Sequence, residues 1–115
     1  GKPKRLGQDR REFFFKAPAD YDLSVKAKFW KAETPQILDD ITKSLNELQD
    51  FSKESVELLI PSLIKERGWQ MGAVMNTLRL AMVGASRGPG VADIIALIGK
   101  EESLSRIQKI IKAFA

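Results

Sequence analysis

The segment Met75 to Glu102, MNTLRLAMVGASRGPGVADIIALIGKEE, carries the residues best equipped for chemistry. Arg79 stands between Leu78 and Leu80 in an otherwise apolar run. An ionised guanidinium is costly to bury without partners, so a core helix has little reason to hold one there. The run breaks at Ala85-Ser86-Arg87-Gly88-Pro89-Gly90, a turn with a second arginine and two glycines that let backbone approach a ligand closely. A fork of donors beside an open turn suits nucleic acid or a carboxylate. A helix restarting at Val91 would add unpaired N–H groups in its first turn, which favour anionic or acceptor-rich ligands. The structural alternative is that Arg79 ties two helices together through Asp93, Glu101 or Glu102, with Pro89-Gly90 an ordinary interhelix turn. By themselves the residues tilt slightly toward that alternative.

Several other chemistries are excluded by residue type. Gly84, Gly88 and Gly90 lack the Gly-Lys-Ser/Thr ending of a phosphate loop and the preceding strand of a dinucleotide fingerprint. Asp39-Asp40 and Glu101-Glu102 are adjacent carboxylates that diverge by about 100° on a helix, so they read as surface and dipole charges. The chain has no cysteine and no histidine, which removes disulfides, thiolate zinc sites, Ser-His triads and most transition-metal ligands. Autonomous catalysis, a metal site and a bound cofactor are therefore not expected. No apolar run reaches the ~18 residues of a membrane span, and no signal peptide opens the chain. A cytoplasmic monomer is the default expectation.

The elements that would position these residues are all helical. With 115 residues, 43% of them hydrophobic, the chain has the size of one small domain or of a piece of something larger. Residues 1–8 read as a flexible lead-in or cloning remnant and 9–115 as the domain. Asp9 to Lys16 suggests a short helix, and Phe13-Phe14-Phe15 an anchor on the core rather than a base-stacking surface. Asp22 can cap a helix to about Trp30, and Thr34-Pro35 opens another to about Asp50, with Thr34 as the cap. Ser52 starts a third that Gly68 ends, with Val56, Leu59, Ile60, Leu63 and Ile64 buried and Pro61 a misfit that should kink it or shift its start. Trp69 or Gln70 to Val83 is apolar around most of its circumference and so central, with Gly84 as its C-cap and Arg79 on the side of Met75 and Met82. Val91 to Ile98 and a last helix from Glu101 or Glu102 follow, the latter with the stripe Leu104, Ile107, Ile110, Ile111 and Phe114. No alternating strand pattern occurs, so the fold class is all-α, a bundle of about five to six helices.

Charge is unevenly spread. Residues 1–31 carry nine Lys/Arg against four Asp/Glu, 32–67 carry four against eight, and 68–115 carry six against three. Basic ends around an acidic middle fit one nucleic-acid face and one solvated back, and equally a modest basic excess that serves solubility.

Leu78-Arg79-Leu80-Ala81, Gly84, Gly88-Pro89-Gly90 and Ile98-Gly99-Lys100-Glu101-Glu102 closely resemble the C-terminal region of bacterial-type glutamyl-tRNA synthetases. Phe13-Phe14-Phe15, Ala17-Pro18, Tyr21-Asp22, Trp30, Thr34-Pro35, Gly72 and Met75-Asn76 agree in order and spacing, from about Asp9 to the end. The resemblance implies an all-helical anticodon-binding domain that recognises the anticodon loop of the glutamate tRNA. It implies RNA contacts at Arg79, Gly88, Pro89, Gly90 and Val91, with Arg87 a further candidate. It also implies a parent glutamate–tRNA ligase in which ATP and magnesium act in a separate catalytic domain, this chain being an excised piece without a catalytic site. The alternative of another class is a structural or protein-interaction bundle with no RNA specificity.

Overall fold

Capping and turn residues divide the described residues into six helices: α1 Leu23–Phe29, α2 Thr34–Asn46, α3 Lys53–Arg67, α4 Met71–Val83, α5 Val91–Ile98 and α6 Lys100–Ala113. The structure, a computed structural model, describes residues 18, 20–85 and 90–114. The expected lead-in over 1–8, the Asp9–Lys16 helix, the Phe13-Phe14-Phe15 anchor and the candidates Arg87, Gly88 and Pro89 lie outside the described residues. Among the described residues there is no strand, so the all-α expectation holds.

Local chemistry accounts for most helix ends. The Asp22 carboxylate accepts the Ser24 N–H at 3.0 Å and the Ser24 hydroxyl at 2.6 Å, opening α1. Ser52 Oγ accepts the Ser55 N–H at 3.1 Å and opens α3. At the far end of α3, Gly68 takes the left-handed conformation and the Trp69 N–H donates to Ile64 O at 3.0 Å, closing the last turn. Helix α3 runs through Pro61 from Lys53 to Arg67, so the proline neither moves the start nor ends the helix. It removes one amide donor from the ladder.

Helix α4 starts at Met71, just after the expected Trp69 or Gln70, α6 starts at Lys100, just before the expected Glu101 or Glu102, and both ends of α2 differ from expectation. Thr34 is the first residue of α2 and not its cap, which is Glu33 with no side-chain bond. The Thr34 hydroxyl instead accepts the Lys31 N–H at 2.8 Å, closing the turn before the helix. Helix α2 also ends at Asn46, short of Asp50. There Lys100 at the head of α6 donates to Asn46 O at 3.0 Å and Leu48 O at 2.7 Å, satisfying carbonyls that a longer helix would have bonded itself.

Packing places α4 in the middle, in contact with every other helix. Leu78, Ala81 and Met82 are fully buried, and Leu38, Ile41 and Leu45 of α2, Val56 and Ile60 of α3, Ile94 and Ile95 of α5, and Ile107 and Ile110 of α6 close around it. Phe114, after α6, meets the edges of Tyr21 and Trp30 at 5.2 and 5.0 Å, tying both flanks of α1 to the end of the chain. Burial pushes the Tyr21 phenol above its ordinary pKa. The carboxylates of α2 do not all form a solvated back, because Asp40 pairs with Arg67 of α3 at 3.0 Å.

The stripe on α6 is rotated from the expected one. Ser103, Arg106, Ile107 and Ile110 are buried, while Leu104, Ile111 and Phe114 are half-buried. Periodicity counts apolar side chains and so passes over an arginine that lies inside.

Gly68, Gly84 and Gly99 end helices with positive φ but differ in surroundings, Gly99 having open space like Gly68. At Gly68 (φ +72°) an added Cβ has open space, whereas at Gly84 (φ +79°) it would lie 2.6 Å from Asp20 O and 3.0 Å from Pro18 Cβ. Gly84 O also accepts the Asp22 N–H at 2.8 Å, so the strand-like approach to α1 is pressed against this turn. Gly68→Ala is expected to cost about 1 kcal/mol from the left-handed φ alone. Gly84→Ala should cost about 3 kcal/mol or more, because the chain before α1 must also move. Urea unfolding of both variants measures the difference; equal losses would mean the close approach at Gly84 is relieved easily. By the same assay, Lys100→Ala should lose about 1 kcal/mol through the uncapped end of α2.

Candidate nucleic-acid interface

Three elements meet around Arg79. From α3 come Val56, Glu57, Ile60 and Pro61, from α4 Met75 and Arg79, and from the start of α5 Gly90, Val91 and Ala92, enclosing an open cavity of about 110 Å³. Its floor is apolar, through Ile60, Met75 and Val91, and its charged side chains are Arg79 and Glu57. Such a surface offers van der Waals contact to a flat ring and donors and acceptors to its edge.

Arg79 is half-buried on a helix whose other sides are enclosed. The exposed line of α4 runs through Gly72, Met75, Asn76 and Arg79, spaced three and four apart. Met75 shares the cavity with Arg79 as expected, but Met82, expected on the same side, is fully enclosed in the core. The internal-bridge alternative named Asp93, Glu101 or Glu102 as partners for Arg79. Asp93 pairs with Lys53 at 3.2 Å and Glu102 with Arg106 at 2.8 Å. The hydrogen bond from Lys53 to Asp93, then the charges of Asp93 and Glu57, raise the Lys53 pKa above its ordinary value.

Gly90 is the exposed N-cap of α5, with no side-chain cap bond. Its φ of −58° is one any residue adopts, so the backbone does not require glycine here. An added Cβ would meet only the end of the Asp93 side chain, at 3.2 Å. What the glycine provides is an uncovered backbone at the cavity mouth. Val91, expected to offer an apolar contact, is 1% exposed and reaches a ligand only as part of the cavity wall. The first turn of α5 sets Val91 and Ala92 inward while Asp93 faces out toward Lys53.

The structure thus brings Arg79, Gly90 and Val91 together, with Arg87, Gly88 and Pro89 outside the described residues. It adds the α3 wall of Glu57, Ile60 and Pro61, which sequence reasoning did not assign. Pro61 was the available signal: a proline at the ninth residue of a helix, half-buried, is tolerated where its ring faces a concave surface. A fully buried Arg106 behind α4 was also missed; its signal was Glu102, one turn earlier.

Comparison with known proteins gives these positions a setting. The family described as the anticodon binding domain matches residues 8–111. The glutamate–tRNA ligase of Flavobacterium johnsoniae is 41% identical over 105 residues, covering 91% of this chain and 21% of the relative. That of Phocaeicola vulgatus is 39% identical over 101 residues, covering 88% and 20%. The crystal structure of a glutamate tRNA ligase from Elizabethkingia meningosepticum in complex with its amino acid superposes with a TM-score of 0.86 at 38% identity, over 93% of this chain and 21% of that one. The chain spans about a fifth of the length of these relatives. A match that runs from residue 8 to 111, with the same helices in the same arrangement, establishes that the chain belongs to the anticodon binding domain family.

Proposed function

We propose that this chain reads the anticodon loop of the tRNA for glutamate, as the anticodon-binding part of a glutamate–tRNA ligase. Residues 9–115 form the domain and 1–8 a lead-in. Arg79 donates to a base edge, Gly90 offers backbone, and Val91 gives apolar contact from the cavity wall, with Arg87, Gly88 and Pro89 completing the RNA-facing turn. The parent ligase joins glutamate to its tRNA with ATP and magnesium, bound in a catalytic part separate from this domain. The chain acts as a monomer in the cytoplasm; no helix among the described residues is long and apolar enough to cross a membrane.

The observation that carries this reading is a half-buried arginine on the most enclosed helix, opening on a cavity whose mouth is a bare glycine backbone. Single-stranded loops expose base faces and edges together, and a site with an apolar floor and a planar donor fork matches both. Surface lysines hold phosphates without reading sequence. The family match and the relatives' names support the choice of tRNA and of glutamate.

Titration of the 115-residue chain with an anticodon hairpin of the glutamate tRNA, beside one with altered anticodon bases, tests the reading at low and physiological salt. Tighter binding of the matched hairpin is expected at both salts. Arg79→Ala should reduce the preference roughly tenfold while leaving the melting temperature within a few degrees. Equal binding of the two hairpins that disappears as salt rises would leave only a basic surface and overturn base reading. Gly90→Ala should fold normally, since its φ is ordinary, yet weaken matched binding by crowding the cavity mouth. Unchanged affinity in that variant would remove Gly90 from the interface.

A further inference from the structure

We propose that Arg106 is a positioning residue for the anticodon site: a buried guanidinium on α6 that sets the end of α4, and so the placement of Arg79 against Gly90. The proposal rests on the anticodon reading above. Arg106 is 1% exposed; its Nε donates to Glu102 at 2.8 Å and its Nη1 to the carbonyl of Met82 at 2.7 Å. Nη2 is buried and finds no acceptor among the described residues. Met82 lies three residues after Arg79 and two before Gly84, so the bond grips the final turn of α4 just before the chain leaves it. The same helix grips the other flank, where the buried Ser103 hydroxyl donates to Ile95 O of α5 at 3.2 Å. Both helices that bound the turn are thereby held to one rigid neighbour.

A stability role alone does not account for this choice of residue. A buried charge with one donor group unsatisfied among the described residues contributes less than an apolar side chain of similar volume would, because its desolvation is only partly offset. What the planar fork supplies is direction, since two donors at a fixed angle reach a carboxylate and a carbonyl at once. Reading a base edge tolerates errors of only about half an ångström, and a shift at Met82 is transmitted to Arg79 within one helical turn.

Arg106→Lys tests the assignment, because an ammonium keeps the charge but has no fork to hold both acceptors. Glu102→Gln, at the half-exposed end of the pair, is a second variant that leaves the Met82 bond in place and guards against misfolding. Amide hydrogen exchange supplies the readout that separates positioning from bulk stability. The Gly84 N–H bonded to Leu80 O, the Asp22 N–H bonded to Gly84 O and the Ile94 N–H bonded to Gly90 O should exchange about tenfold faster in Arg106→Lys. Amides inside α2 and α3, such as those of Leu45 and Ile60, should not change. The preference for the matched hairpin should fall about tenfold as well, and Glu102→Gln should move both measures in the same direction by less.

Faster exchange everywhere, or nowhere, would make Arg106 an ordinary core residue and overturn the proposal. So would local loosening with hairpin preference intact. A wild-type chain that does not distinguish the hairpins would sink the anticodon reading itself, and the exchange pattern would then decide by itself whether Arg106 sets the turn.

Discussion

Everything in this bundle depends on enclosing α4. A small domain can surround one helix only if its neighbours come from every direction, and α1, α2, α3, α5 and α6 all do. Full burial of Leu78, Ala81 and Met82 contributes on the order of 1–3 kcal/mol per large side chain, so the neighbours are held by the same contacts that hide α4. Enclosure is incomplete along a line through Gly72, Met75, Asn76 and Arg79. That gap is where a charged side chain can reach solvent while its helix stays in the core. The cavity that Arg79 lines opens beside the start of α5.

Both ends of the turn between α4 and α5 are over-determined. At the α4 end, Gly84 combines a left-handed φ with a close approach by Asp20 and a hydrogen bond from the Asp22 amide, so the chain before α1 and the end of α4 are fixed together. At the same place the Arg106 guanidinium holds the Met82 carbonyl from behind. At the α5 end, Val91 and Ala92 turn inward and Asp93 is held outward by Lys53.

Charges divide along the same lines. Of the acidic residues concentrated in 32–67, Asp39 pairs with Lys43, Asp40 pairs with Arg67, and Asp50 accepts from Ser52 and Ser55. Glu101 and Glu102 sit in the first turn of α6, where the helix dipole favours them, and Glu102 also receives Arg106. Lys100, in the same Gly-Lys-Glu-Glu run, caps α2 across the bundle. That run is therefore architectural.

Much of this was legible in the residues themselves. Asp22, Ser52, Gly68, Gly84 and Gly99 marked helix ends because caps and left-handed turns are local, decided by one side chain or one missing Cβ. The apolar circumference of Met71–Val83 identified the central helix, and Arg79 stood out as the residue that such a helix should exclude. Sequence alone did not show that Asp93 pairs with Lys53 and Glu102 with Arg106, because the first pairing is long-range and the second is hidden in the core. The Lys100 cap that shortens α2 spans more than fifty positions, and no local pattern encodes it. Arg106 was passed over for the same reason: burial of a charge depends on acceptors brought to it by folding, here the carbonyl of Met82, and only the assembled bundle places that carbonyl within reach.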